Sequence, residues 1–588
     1  MTENKVNKVN KVNKLQLLST KENCSWISLL NPDPETDKYK PNKTSREVKS
    51  GHYVSVKPTP LPNPYVVTLS IEMVNALGLD YDTCQSNEFI SLFSGNVDIN
   101  KQTIGKYSWA TPYALSIYGK EMYSNCPFKN GNGYGDGRAI SLSEVVLNDS
   151  SRWELQLKGS GTTPFCRGAD GRAVLRSCIR EFMASEAMYH LRIPTTRALS
   201  VIASNTEKVT RQWYSDKGEK IMENAICAVL CRVSSSFIRV GHIELYARRV
   251  NNSHQKNNKN MDELKLMVNH AIFREFPHLI SVSDEQEKFI LMLKEVGILM
   301  ANMTAEWLRV GYTQGNFNSD NCHIAGKTLD YGPFGFIELF DSHWNMWEGG
   351  GVHFSFMNQP LAGNKNFSSL VDSIIPLLDE EHVNIALNIK NKQYQIAMDK
   401  ANLVWAKKLG FNKFDSKVAQ LKTDLFKLME FYSADFTLFW RQLAEIVGNF
   451  PIDKIDENVT NITNSSELFN FIEDCFYKKL TMDDKYKWVQ WLAKWLMLIK
   501  TTNENYKTIS KNMKNISPKF IPREWMLKTA YEKANVGDYS IMNELQTLFK
   551  TPYDEHSDEL TKKYYKKMNF KSTNNSSVAG TTVMTCSS

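Results

Sequence analysis

The 588-residue chain is 42 % hydrophobic and 23 % charged, with 13 Trp, 24 Tyr and 29 Phe, which excludes fibrous and disordered classes. A formal charge of +7 is too small for this length to mark a nucleic-acid binder, and no apolar run approaches the roughly 20 residues that cross a bilayer. The length exceeds what one hydrophobic core organises, so at least two core-bearing lobes are expected.

Residues 1–45 open with K-V-N repeats and read as a low-complexity, disordered tail, too poor in Arg and amphipathic character for a mitochondrial presequence. Residues 46–250 carry the strand signals. WELQLK (153–158) alternates like a half-buried strand, and AICAVLCRV (225–233) reads as a more deeply buried one. Between them the pattern predicts a helix over 170–191, with Leu175, Ile179, Phe182, Met183 and Ala187 on one face and Glu181 and Glu186 aboard. The polar stretch 251–262 reads as a linker or insertion. Residues 263–566 read as helical, starting with a capping box of Ser283 and Gln286 and continuing with helices within 370–450 and 465–500. Trp488, Trp491 and Trp495 share one helix face and are assigned to core. Residues 567–588 read as a flexible tail. The ten cysteines form no C-x-x-C pair and no zinc spacing, so reduced, buried thiols are expected.

Chemistry concentrates in NFNSDNCHIAGKTLDYGPFGF (316–336). Asp320 and Asn321, with Asp330 nine residues after Asn321, offer hard oxygen ligands that suit Mg²⁺, and Mn²⁺ accepts the same donors. Taken alone, the same residues serve equally well as Asx-turn formers around a Gly326-Lys327 hairpin tip. A second cluster tilts the balance. Lys158 ends a strand and precedes GSGTTP, GYGDGR (133–138) makes another tight basic-ended turn, and Arg232 and Arg239 bracket a short loop. A strand Lys, a helix Glu181 to orient it, and a downstream Asp/Asn pair followed by Asp-x-Gly reproduce the parts of a protein-kinase phosphate site. No H-R-D, D-F-G or G-x-G-x-x-G-x-V accompanies them.

WELQLKGSGTTPFCRGADGRAVLRSCIREFMASEA (153–187) and the NSDN…LDYGPFGF stretch resemble the selenoprotein O family of pseudokinase-like protein adenylyltransferases. The likeness runs from TPYALSIYG and GYGDGRA through CRVSSSFIRVG to GDYS…L…PYDE, between residues 55 and 566. It implies an α+β, kinase-like bilobal fold with a strand-rich N-lobe and a larger helical C-lobe. The implied activity is transfer of AMP from ATP to Ser, Thr or Tyr hydroxyls of proteins with release of pyrophosphate. A protein kinase and an inert nucleotide-binding pseudokinase scaffold are the alternatives. By matching motif, Gly135, Gly137, Arg138, Lys158, Asp170, Gly171, Arg232, Arg239 and Asp330 would hold the nucleotide, Asn321 and Asp330 the Mg²⁺, and Glu181 would pair with Lys158. Asp320 would accept the hydroxyl proton, as a weak base if its pKa is ordinary. The partners implied are ATP and protein substrates, with no nucleic acid and no membrane. Eukaryotic members point to mitochondria; a cytoplasmic place is expected if the N-terminus is no presequence.

The chain departs from the family in two places. Gln314-Gly-Asn-Phe-Asn-Ser-Asp-Asn stands where many members have His-Gly-Val-Met-Asn-Thr-Asp-Asn, and the G-H-Q-F-G segment is replaced around YGKEMYSNCPF. Both bear on substrate choice more than on nucleotide chemistry. Cys586 occupies the selenium position of animal members, and a redox role there would need a partner thiol such as Cys475.

Overall fold

The computed structural model describes residues 13–98, 104–123, 128, 135–215, 219–252, 258–455, 462–568 and 584. The chain is mixed α/β, with one large antiparallel sheet in its first part and helices dominating the rest. The sheet runs Val54–Ser55, Trp109–Ala110, Ala139–Val146, Arg152–Lys158, Lys220–Ser234, Arg197–Tyr214, Pro64–Leu69, and Ala173–Val174 adds to Lys220–Ser234. The strand Arg152–Lys158 is central: Lys158 lies opposite Ala139 on one side and Leu230 on the other.

Alternation assigns the two faces of this strand. Leu155 and Leu157 point into a core shared with Phe89, Leu92 and Phe93 of the helix Asn87–Phe93, whereas Gln156 and Lys158 point to the opposite face. There the helix Leu175–His190 packs Ile179, Phe182 and Met183 against Ala198, Val201 and Leu230 of the sheet. The helix starts later than the predicted 170, because Ala173 and Val174 are claimed by the sheet as partners of Ala228 and Cys227.

The predicted tail needs correction from residue 13 onward. Leu15 and Leu18 of a short helix, Lys14–Ser19, are buried on the face of the sheet that carries Leu155 and Leu157, and Trp26 is buried in the other core, its ring against His242 and His270. Ser25 Oγ donates to Glu144 Oε2 at 2.7 Å and the Trp26 N–H to Glu144 Oε1 at 3.0 Å. A Lys- and Asn-rich composition conceals these few apolar anchors, whose burial depends on a sheet far along the chain.

The stretch 251–262 runs between two helices that pack on each other, Val240–Asn251 and Asn258–Glu275. The chain leaves the sheet at Ser234, and the next helix, Val240–Asn251, already packs on the helices Asn258–Glu275 and Gln359–Ile374. Residues 253–257 lie outside the described part. The helix Glu285–Val310 is capped by Asp284, which accepts from the Gln286 N–H at 2.9 Å, rather than by Ser283. The remaining helices include Glu380–Lys408, Ser416–Tyr432, Phe436–Asn449 and Met482–Lys500. Trp488, Trp491 and Trp495 are buried, and the indoles of Trp491 and Trp495 donate to the carbonyls of Leu421 and Leu409. Among the described residues no helix is long and apolar enough to cross a membrane.

Candidate active site

Lys158, Glu181, Arg232 and Asp330 meet in one cluster. Lys158 Nζ stands 2.5 Å from Glu181 Oε2 and also donates to Asp330 Oδ1. Arg232 Nη1 lies 3.4 Å from Glu181 Oε1 and 3.5 Å from Asp330 Oδ1. Its Nη2 donates to Gln156 Oε1, two residues before Lys158 on the same strand face. Two cations and two carboxylates balance, and three of the four residues are nearly inaccessible, with Asp330 a quarter exposed at its side chain. Burial by itself would raise the Asp330 pKa, but Lys158, Arg232 and Arg239 override it and hold the carboxylate well below its ordinary range.

Helix and downstream segment are locked together by the residue before Glu181. Arg180 donates to the Gly332 carbonyl at 2.6 Å and to the Phe334 carbonyl, while its Nε reaches Glu524 at 2.9 Å. Asp330 itself is left-handed, at φ 57°, a conformation that Asp tolerates better than most residues.

The 316–336 stretch is not a simple hairpin. Tyr312–Gln314 pairs with Phe334–Phe336, and the loop between holds a 3₁₀ turn at Ser319–Asn321. After it, His323 bridges to Arg239 and Thr328 to Thr195, so the chain between Asp320 and Asp330 is pinned to the rest of the fold. Gly326 still turns, at φ 60°.

Asp320 Oδ1 is buried without a hydrogen-bond partner. Burial, followed by the neighbouring charge of Asp330, pushes its pKa up to about 7 against the opposing pull of Arg239 and Arg167. This replaces the expectation of an ordinary, weakly basic carboxylate. Asn321 Nδ2 donates to the Asn316 carbonyl at 2.8 Å, which leaves its amide oxygen as the free end, and Asn318 Oδ1 is buried and unpartnered beside it. An ionised Asp330, an amide oxygen and orphaned oxygens fit a hard divalent cation.

The glycine turns stand where backbone approaches backbone. A Cβ on Gly171, at φ +70°, would lie 2.1 Å from the Gly161 carbonyl oxygen, and one on Gly135 would lie 2.7 Å from that of Thr111. Gly137 is nearly as tight, 3.0 Å from the Phe165 carbonyl oxygen. The Arg138 carbonyl accepts the Gly159 N–H at 2.8 Å, joining the GYGDGR and GSGTTP turns. Arg239 is fully buried beside Asp136 at 3.0 Å. Asp170 stands apart from the four-charge cluster: it binds Arg211 Nη2 at 2.6 and 2.8 Å and accepts the Arg172 N–H.

A family model described as protein adenylyltransferase SelO matches residues 36–550. The chain belongs to this family. Its relatives include proteins named protein nucleotidyltransferase YdiU. That of Rhodopirellula baltica is 31 % identical over 525 residues, 88 % of this chain and 91 % of the relative. Those of Azoarcus sp. and Aromatoleum aromaticum are 33 % identical over 536 residues and 34 % over 525, covering 91 % and 88 % of this chain and 93 % and 91 % of theirs. The family match spans both the Lys158 cluster and the Asp320 loop, and the chain is a nucleotidyltransferase of the protein-adenylylating class.

Sequence reasoning missed Gln156, Arg180 and Asp136. The spacing of Gln156 to Lys158 was a readable signal, since residues two apart on a strand share a face. Arg180 and Asp136 act through partners far along the chain, which no local pattern announces. Cys586 lies outside the described residues, and the nominated Cys475 is fully buried, with burial raising its thiol pKa.

Proposed function

We propose that the protein transfers AMP from Mg²⁺-bound ATP to Ser, Thr or Tyr hydroxyls of protein substrates, releasing pyrophosphate, on a kinase-like bilobal framework. The observation that carries this reading is Lys158 held between Glu181 and Asp330 while Asp320, on the same loop as Asp330, keeps an unpartnered oxygen. A strand lysine fixed by a helix glutamate, with a sheet on one side and helices on the other, supports the kinase-like framework.

Lys158, Arg232 and Arg239 form the cationic wall against which nucleotide phosphates bind, and they stabilise charge on the departing pyrophosphate. The turns at Gly135, Gly137 and Gly171 bring backbone close enough to contact phosphate oxygens, with Arg138 at their edge. Asn321 and Asp330 would hold the cation, Mg²⁺ or Mn²⁺. When bound, it compensates charge at the α-phosphate. Asp320 receives the proton of the attacking hydroxyl through Oδ1. In the balanced step the hydroxyl oxygen forms the bond to the α-phosphorus, and the bond from that phosphorus to the bridging oxygen breaks.

The test is incubation of the purified protein with ATP labelled at the α- or the γ-position, with Mg²⁺ or Mn²⁺, beside Asp330→Ala. Label on protein from the α-position alone, lost in the variant, is expected. Label from the γ-position would make it a kinase, and nucleotide binding without transfer from either position would make it a scaffold.

A further inference from the structure

Arg239 presents an uneven set of contacts. It is fully buried, and Nη1 stands 3.0 Å from Asp136 Oδ1, yet none of Nε, Nη1 and Nη2 has a hydrogen-bond partner. A buried guanidinium with unsatisfied N–H groups is costly unless a ligand completes it. Asp136, Tyr113, Asp330 and Asp320 all attract it, and its ring partner is Tyr113, 4.7 Å from the guanidinium carbon. Collapse onto Asp320 would consume the base.

The surroundings show what prevents this. The Arg239 backbone N–H donates to His242 Nδ1 at 3.0 Å, so Nδ1 carries no proton. The ring proton therefore sits on Nε2, 3.0 Å from Thr111 Oγ1. Thr111 accepts there and gives its own hydroxyl proton to Asp136 Oδ2 at 2.8 Å. The second carboxylate oxygen of Asp136 faces the Arg239 guanidinium, so an ion pair and not a hydrogen bond completes the circuit. Each proton in this ring has a single consistent direction. Burial, followed by the charge of Arg239, holds the His242 pKa well below its ordinary value, in agreement with the neutral imidazole the circuit requires.

We infer that Thr111, Asp136 and His242 are positioning residues: their hydrogen-bond chain, completed by the Asp136 ion pair, fixes Arg239 away from Asp320 and leaves its N–H fork directed to a nucleotide phosphate. This rests on the reading above that Arg239 binds the nucleotide. Asp136 supplies the fixed counter-charge, Thr111 relays between it and His242, and His242 anchors the backbone from which Arg239 projects, at the start of the helix Val240–Asn251.

The test compares ATP affinity and the KM against kcat split in Arg239→Gln, Thr111→Val and Thr111→Ser, with selective ¹⁵N-histidine NMR on the unaltered protein at pH 7. Arg239→Gln must weaken ATP binding; if it does not, the nucleotide reading of Arg239 fails. Given that loss, Thr111→Val is expected to raise the ATP Kd and KM by about tenfold, the usual scale for a hydrogen bond to a charged group. Thr111→Ser, which keeps the hydroxyl, should restore most of it. Unchanged ATP affinity in Thr111→Val overturns the circuit, because a residue that merely supports the fold lowers the melting temperature and leaves KM alone. Should Thr111→Val not fold, the spectrum decides: His242, assigned by its loss in His242→Gln, is expected as the neutral Nε2–H tautomer, and an imidazolium or the Nδ1–H tautomer refutes the proposal.

Discussion

Replacing Lys158 by Met keeps an unbranched side chain and removes one of two cations from a balanced four-charge cluster. Glu181 and Asp330 then share Arg232, which lies 3.4 and 3.5 Å from them. One guanidinium cannot neutralise both carboxylates, and an uncompensated buried charge costs up to about 3–5 kcal/mol, a ceiling here because Asp330 is a quarter exposed and also feels Arg239. With an unfolding entropy of about 2.1 cal/mol/K per residue, a chain of this length changes by about 1.2 kcal/mol per degree, so Tm falls by up to about 2–4 °C. Adding Asp330→Asn to Lys158→Met restores the balance, Arg232 facing Glu181 alone, and at least half of the lost Tm should return. Both variants should be silent in transfer from α-labelled ATP. Thermal melts followed by Trp fluorescence measure the first outcome. A double variant whose loss is the sum of the two single losses would refute the charge-balance argument, since independent contacts add and coupled ones do not.

Asp320→Asn keeps the shape of the loop and removes the carboxylate proposed above to accept the proton, so transfer should fall by about 10²–10⁴-fold while ATP binding persists, read by α-label incorporation beside equilibrium binding; a loss of binding in parallel would instead make Asp320 part of the nucleotide pocket. Gly171→Ala forces a Cβ to within 2.1 Å of the Gly161 carbonyl at a left-handed φ, and should lower ATP affinity together with Tm. In Asn321→Ala the cation concentration giving half-maximal transfer should rise; unchanged cation dependence would remove Asn321 from the metal site. Stability should fall in acid in part because of His270, whose pKa burial, and then Arg274, hold well below 6.5, while His242 adds to the same slope. Above pH 6.5 the ring is neutral folded and unfolded and contributes nothing. Below it the unfolded chain takes up a proton the fold refuses, a loss of up to about 1.4 kcal/mol per pH unit. His270→Gln should lessen that slope in denaturant titrations at pH 5 and 6, and equal slopes would exclude His270 as a source of it.

What could be read from sequence, and what could not, divides along the range of the interactions. Lys158 and Glu181 were legible because strand alternation and helix periodicity are local, and a pattern over a few residues aims each side chain before any partner is known. The Asp320 to Asp330 loop was legible as a donor set but not as geometry: the hairpin that closes it starts at Tyr312 rather than at Asn316, and its middle is pinned by Arg239 and Thr195, residues from two separate earlier segments. The tail misreading has the same origin. Leu15, Leu18 and Trp26 are too few to outweigh the polar composition around them, and only the sheet surface under the two leucines and the helices around the Trp26 ring make them core. The linker-or-insertion reading of 251–262 followed composition, whereas the passage from sheet to helices comes after Ser234, inside a stretch whose sequence looks continuous. His242 makes the point at the site itself. A lone histidine on a buried helix start carries no chemical signature; its tautomer is set by Arg239 on one nitrogen and by Thr111, more than a hundred residues earlier, on the other. Local patterns therefore name the charged groups of the cluster, while the groups that decide where those charges stand emerge only from contacts across the fold.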